Sequence, residues 1–342
     1  MTAFPRGSAP PRVQVHRQTS SGRIALVLFA LAVIGLVAMP WWAKTGTIRM
    51  ILELCCYIAV AQMWNMLAGY AGLVSVGQQA FMGAAGYALF VLAQTFGINP
   101  FLAIFLSLLA PAVLAVPCYL LLHRLDGPYF AIGTWVVAEV FRLAASNLGW
   151  LNAGAGMSLS VMKDYSAFER NVAMSLLCAL MILVTIGGSY WFLRSRYGLA
   201  LIAMRDNPVA AASQGVDVKR LRFMIYVAAA VGCGLVGSVY FMAQLRINPP
   251  SAFDPMWSNI AIFIVMVGGI ASIEGVLIGA LIYFIADRWF GEYGASYFVV
   301  LGLMTVLVAL SARSGIWGMI SKRWDAPWFP IRRHLTLTKE TP

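Results

Sequence analysis

Charged and amide side chains set inside long apolar runs are the residues with the most chemistry to offer. A charge at the centre of a bilayer costs at least ~2.5 kcal/mol, so it asks for a partner or for water. Arg49 and Glu53 stand four apart, and Glu139 and Arg142 three apart. Either spacing lets a pair neutralise itself on one helix face. Arg49 lies near the end of its run and can snorkel. Glu139 and Arg142 lie deeper, where simple pairing and the lining of a solute path are both open readings. Glu274 falls in a third Gly-rich stretch, 268–279, and is expected to face water.

Uncharged polar groups cluster with glycines in the same way. Residues 69–89 read GYAGLVSVGQQAFMGAAGYAL, and 127–134 read GPYFAIGT. Irregular backbone at membrane depth is tolerated only where protein or a water-filled cavity covers it. Asn65, Ser75, Gln78, Gln79, Thr134 and Glu139 are therefore the expected lining of a polar path. A Gly-interrupted segment in each half also points to an inverted repeat around such a path.

Bond-making chemistry has no comparable support. No Walker A loop, G-x-S-x-G elbow or H-E-x-x-H motif occurs. No catalytic residue is assigned, and a membrane enzyme is disfavoured. Residues 232–237, GCGLVG, match the dinucleotide fingerprint, but that fingerprint needs a preceding strand. Here it sits in the middle of an apolar run, with Ala230, Gly234 and Ser238 four apart on one packing face. Cys55, Cys56, Cys118, Cys178 and Cys233 lie in apolar runs and read as small hydrophobes. His16, His123 and His334 are scattered through polar segments, so no metal site is expected.

The elements that must position these residues are membrane spans. At 61% hydrophobic and 11% charged, the 342-residue chain is no ordinary soluble domain. Runs of spanning length cover 24–42, 48–68, 101–122, 172–192 and 223–243. More irregular ones cover 79–96, 129–148, 257–269, 276–289 and 296–312. The fold class is all-α: a polytopic membrane protein of about ten transmembrane or re-entrant helices.

The net charge of +11 is distributed as topology demands, which argues against a nucleic-acid partner. Four arginines precede the first run, six Lys/Arg fall in 194–222, and six more lie beyond residue 312. Residues between the other runs are nearly neutral. The positive-inside rule puts both tails and that loop in the cytoplasm, with anionic lipid as a neighbour of the Trp-bearing C-terminal tail. Three units follow: a basic, disordered N-terminal tail, 1–23; a membrane domain, 24–312; and a cytoplasmic tail, 313–342. The first run lacks a small-residue cleavage site and reads as a retained span.

Within the membrane domain, the polar loop 193–222 carries small apolar clusters at roughly helical spacing. One helix over 205–215 is expected there. Arg205, Asp206 and Asn207 would begin it, Ala210, Ala211 and Ala212 would face a cytoplasmic partner, and Gly215 would end it with positive φ.

In combination, several stretches resemble one family. Residues 65–78 (NMLAGYAGLVSVGQ) and 127–134 followed by Glu139-Val-Phe-Arg142 look like the early and middle segments of LivM-type permeases of branched-chain amino acid ABC transporters. Residues 197–215 resemble that family's cytoplasmic loop, and 268–275 (GGIASIEG) its late Gly-rich turn. ABC permeases in general carry an E-A-A-x-x-x-G coupling loop, matched here by Val209-Ala-Ala-x-x-x-Gly215, with Val in place of Glu. Glu274 stands where the family has Gly or Pro.

The resemblance implies a bacterial inner-membrane importer permease with no cofactor of its own, ATP being used by partner subunits. It implies four partners: a homologous second permease, two cytoplasmic ATPases and a periplasmic substrate-binding protein. Branched-chain amino acids are the first expectation for the solute, with urea or short amides the alternative. An autonomous secondary transporter is the alternative from another class.

Overall fold

A computed structural model describes residues 12–16, 20–311, 314–324, 328–329 and 334–338. Each expected span coincides with helix. Helix α1 (Ser20–Ala38) is followed by α2 (Thr45–Asn65), α3 (Gln79–Gln94), α4 (Pro100–Ser107) and α5 (Leu109–Leu122). Then come α6 (Pro128–Asn147), α7 (Ala167–Ile182), α8 (Gly188–Leu193), and the loop helices α9 (Arg196–Asp206) and α10 (Pro208–Ser213). The last group is α11 (Val218–Gln244), α12 (Pro249–Ala252), α13 (Met256–Gly268), α14 (Ile273–Phe290), α15 (Ala295–Ser311) and α16 (Gly315–Trp324).

Eight helical stretches of the described residues are long and apolar enough to cross a membrane. α4 and α5 form one of them, and α7 with α8 another. α3 is shorter at 16 residues, and α14 carries Glu274, Asp287 and Arg288. Counting both, the described residues offer ten candidate crossings. The residues 127–134 expected to be irregular are regular: Gly127 has a φ of 56° and Pro128 opens α6 directly.

Ten crossings divided after α6 give two sets of five, and an odd number per set reverses the direction of the second. The packing repeats accordingly. α2 lies against α13 and α14, while its counterpart α11 lies against α3 and the α4–α5 pair. α3 packs on α6 as α13 packs on α15. The inverted relation therefore has support, though the Gly-rich turns that suggested it are not its mates. Glu53 early in α2 reaches Arg288 late in α14, and Asn65 at the end of α2 reaches Ser272 just before α14. α2 is thus antiparallel to α14 and parallel to α13, so both Gly-broken turns follow helices of the same direction.

Glycines bring the central helices into contact. A Cβ on Gly234 would stand 2.5 Å from a ring carbon of Pro111, and one on Gly237 would fall on the backbone of Met82. Ser238 and Ser107 share a hydrogen bond of 2.8 Å between their hydroxyls. The stretch 232–237 is a packing face of α11. Two short ribbons complete the described chain. β2 (Met157–Ser158) pairs with β3 (Arg246–Ile247), and β1 (Arg12–His16) pairs antiparallel with β4 (His334–Thr338). That second ribbon corrects the expectation of an N-terminal tail without structure. The alternation RVQVH opposite HLTLT is a period-two pattern, which the tail's Pro/Ser/Arg composition obscured.

Candidate translocation path and coupling loop

α2 ends in a π-helical turn, Met66–Tyr70, after which the chain turns at Ala71 and at Gly72 (φ 71°) and runs without regular structure until α3 begins at Gln79. This backbone lies inside the bundle, with Gln78 accepting from the thiol of Cys233 near the middle of α11 (3.0 Å). Side chains of neighbouring helices satisfy it. Trp64 Nε1 donates to Ser75 O (2.7 Å), Val76 N donates to Thr134 Oγ1 (3.0 Å), and Gln78 N donates to Ser258 Oγ (3.3 Å). Gln79 donates to Val76 O (3.1 Å) and accepts from Ser258. Ser75 Oγ accepts from Gly77 N (3.2 Å). Unpaired backbone groups would be costly at this depth, so the five of these contacts that reach backbone N–H or C=O groups hold the break.

The expected path residues thus divide. Ser75, Gln78, Gln79 and Thr134 come together as a buried scaffold, Asn65 is buried separately against the second turn, and none of the five reaches a surface in this conformation. Glu139 stands apart on α6, its side chain 43% exposed, ion-paired with Arg142 as its spacing anticipated. The open side of the break belongs to residues that sequence reasoning missed. Along 71–76, burial alternates: Ala71, Leu73 and Ser75 point inward, Gly72 and Val74 outward, and Val76 is half-buried. Val74 is 45% exposed. The stretch was read as irregular, as it is, and the period-two pattern that sorts its residues inward and outward went unused.

Asn65 joins the two Gly-broken turns. Its Nδ2 donates to Ser272 O (3.1 Å), and its Oδ1 accepts from Ala271 N (2.8 Å). Ala271 has a φ of 59°, a left-handed value unusual for a residue with a Cβ. Gly69 makes room for the contact, since a Cβ there would stand 2.8 Å from Ala271 N.

Glu274 does not face water. It is 5% exposed in the first turn of α14, and its Oε1 accepts from Phe329 N (2.7 Å). The Phe329 ring meets Tyr190 edge-on, with centroids 5.4 Å apart. Trp317, expected at the lipid interface, is buried against half-exposed Trp328. Ser314, Trp317 and Phe329 of the tail are seated on the second break.

The 193–222 loop departs from the single expected helix. Asn207 adopts φ −156° and ψ 101°, which separates α9 from α10. Its Oδ1 caps α10 by accepting from Val209 N (3.1 Å) and Ala210 N (3.0 Å), and Pro208 occupies the first turn. Arg205 and Asp206 therefore close α9, and do not open α10. Arg205 turns back to the bundle, donating to Gly69 O at 3.1 Å. Gly215 ends α10 with a φ of 86°, as expected. Ala211 is 5% exposed and packs inward, whereas Val209, Ala210 and Ala212 are open. A six-residue helix shows its alanines to different sides, so the three do not share one face.

At the other end of the bundle the Arg49–Glu53 pair is absent. Glu53 instead accepts from Tyr57 (3.1 Å) and Arg288 (3.1 Å).

The sequence is similar to those of known proteins. Residues 46–310 match the family described as branched-chain amino acid transport system / permease component. The chain is 22% identical to the LivM permease protein of the high-affinity branched-chain amino acid transport system of Escherichia coli, over 92% of this chain and 80% of that one. It is 25% identical to a probable branched-chain amino acid permease protein, LivH, of Methanocaldococcus jannaschii, over 69% and 78%. It is 22% identical to the fructose import permease protein FrcC of Rhizobium meliloti, over 86% of each. Such proteins are transport permeases and not enzymes, ATP hydrolysis belonging to separate subunits. With the match spanning most of the membrane domain, the chain belongs to the branched-chain amino acid permease family, as a permease subunit of an ABC importer.

Proposed function

We propose that this permease moves branched-chain amino acids across a bacterial inner membrane, along the open side of the first break and the Glu139 face of α6. One observation carries the path: non-helical backbone inside a bundle of spanning helices exposes Gly72 and Val74 instead of being enclosed by its own subunit. Lipid is a poor cover for such backbone, and water or a second permease is a good one. An exposed ion pair on a spanning helix, Glu139 with Arg142, has the same need. The buried set Asn65, Ser75, Gln78, Gln79 and Thr134 holds this wall in shape and is poised to meet solute when the wall moves.

The complex in this reading has a homologous second permease, two cytoplasmic ATPases and a periplasmic binding protein. The 193–222 loop and both tails are cytoplasmic, where the basic residues are concentrated. Arg205, Asp206, Asn207, Ala210, Ala211, Ala212 and Gly215 form the coupling element. Val209, Ala210 and Ala212 touch the ATPase, and Arg205 transmits the contact to Gly69. Competition for uptake in proteoliposomes containing the full complex tests the solute. Leucine, isoleucine and valine should compete, and urea, short amides and fructose should not. Competition by urea or by fructose alone overturns the assignment.

A further inference from the structure

We propose that the C-terminal tail is a strap that holds the covered state of the first break, with Phe329 as its releasable latch between α8 and the start of α14. One residue makes the bridge. The Phe329 backbone N–H donates to Glu274 Oε1 (2.7 Å), while its buried ring meets Tyr190 of α8 edge-on at 5.4 Å. The Tyr190 hydroxyl accepts from Arg194, the residue that follows α8 into the 193–222 loop (2.9 Å). The latch therefore lies between the second Gly-broken turn and the root of the loop. Glu274 has no capping duty to explain its place, because Ser272 already caps α14 by accepting from Gly275 N (3.2 Å). A buried carboxyl is costly without a partner, and the tail supplies one.

The tail meets the second turn at another point as well. A Cβ on Gly269 would stand 3.0 Å from Ser314 O, and one on Gly315 would stand 2.5 Å from Gly269 Cα, so two glycines let the backbones touch. The Trp317 ring meets Trp328 at 5.8 Å, which joins α16 to the latch. Further along, β4 pairs with β1 ahead of α1. A two-stranded ribbon is marginally stable alone, so that far anchor can let go. The bridge is present in the conformation in which Ser75, Gln78, Gln79 and Thr134 are covered. A contact made in one state and broken in another favours the first by its own free energy. Movement of α14 away from α8 has to break this one, and Asn65 carries that movement to α2 through Ala271 and Ser272. The strap thus rests on the reading of the first break as the wall of the path.

Native Cys233 reports on the wall, because its buried thiol donates to Gln78. Its modification by N-ethylmaleimide, read by mass spectrometry on the complete importer in nanodiscs without ATP, tests the strap. Phe329→Pro removes both the N–H and the ring, and should speed modification of Cys233 severalfold while buried Cys55 and Cys178 stay protected. Glu274→Leu should do the same, whereas Glu274→Gln keeps an acceptor for Phe329 N and should stay near the parent. Should Glu274→Leu fail to fold, Phe329→Pro still decides, since residue 329 lies outside the spanning helices. Parental modification of Cys233 in Phe329→Pro overturns the proposal. So does faster modification of Cys55 and Cys178 along with Cys233, which marks a general loosening of the bundle. Leucine uptake by the parent judges the importer reading separately. Uptake beside parental Cys233 modification in Phe329→Pro sinks the strap alone, and faster modification without leucine uptake sinks the solute assignment alone.

Discussion

Arg205 Nη1 donates to Gly69 O at 3.1 Å, tying the 193–222 loop to the turn where α2 ceases to be a regular helix. From Gly69 the connection continues without a gap. Asn65 sits one turn earlier and holds Ala271 and Ser272, and Glu274 two residues on holds Phe329 of the tail. In the coupling proposed above, displacement of the loop would act at once on both Gly-broken turns, one of which forms the open wall.

Asn65→Leu should lower stability by about 2 kcal/mol, because it leaves a buried N–H and C=O of the second turn without partners. Thermal unfolding of the purified chain in detergent reads this as an earlier midpoint. Asn65→Asp keeps an acceptor for Ala271 N but loses the donor to Ser272 O, and should fall between Leu and the parent. Equal midpoints for all three would remove the clamp from the account.

Gly77→Ala should yield little folded protein. Its Cβ falls on the carbonyl of Thr134, backbone that cannot step aside, at the point where the non-helical wall crosses α6. Overpacking of this kind costs about 1–3 kcal/mol or more. Gly302→Ala, with nothing within 4 Å, is the control and should stay within about 0.5 kcal/mol of the parent. The fraction of monodisperse protein by size-exclusion chromatography measures both.

Glu139→Ala or Arg142→Ala should destabilise more than the double replacement, because each alone leaves an uncompensated charge on a spanning helix. Uptake should fall in all three. A double variant with parental uptake would mean that the pair only neutralises itself and that the path lies elsewhere.

The spans were legible in the sequence because an apolar run of about 20 residues has few other uses. Glu139 and Arg142 pair, one of the two readings their i,i+3 spacing left open, whereas the same kind of spacing left Arg49 and Glu53 unpaired with each other. Two of the misread features depend on distant chain. Glu53 takes Arg288, 235 positions away, and Asn65 takes Ala271 and Ser272, more than 200 away. Spacing along one helix carries no information about such partners. The Asn207–Pro208 dipeptide was a readable helix start, and taking it as the inside of a helix misplaced Ala211.

That correction changes which alanine tests the loop. Ala210→Trp should uncouple ATP hydrolysis from uptake while leaving the chain folded, since its side chain is open. Ala211→Trp should unfold the loop itself, since Ala211 packs inward. Protease sensitivity of the loop separates the two. A sensitive Ala210→Trp beside a resistant Ala211→Trp would invert the assignment of faces.

The most direct test of the coupling route is the number of leucine molecules taken up per ATP hydrolysed by the complete importer carrying Arg205→Gln. A hydrogen bond from a charged donor contributes about 1.5–3 kcal/mol, so losing it should cut the ratio about tenfold or more while hydrolysis continues. An unchanged ratio at parental uptake would contradict transmission from the loop through Gly69.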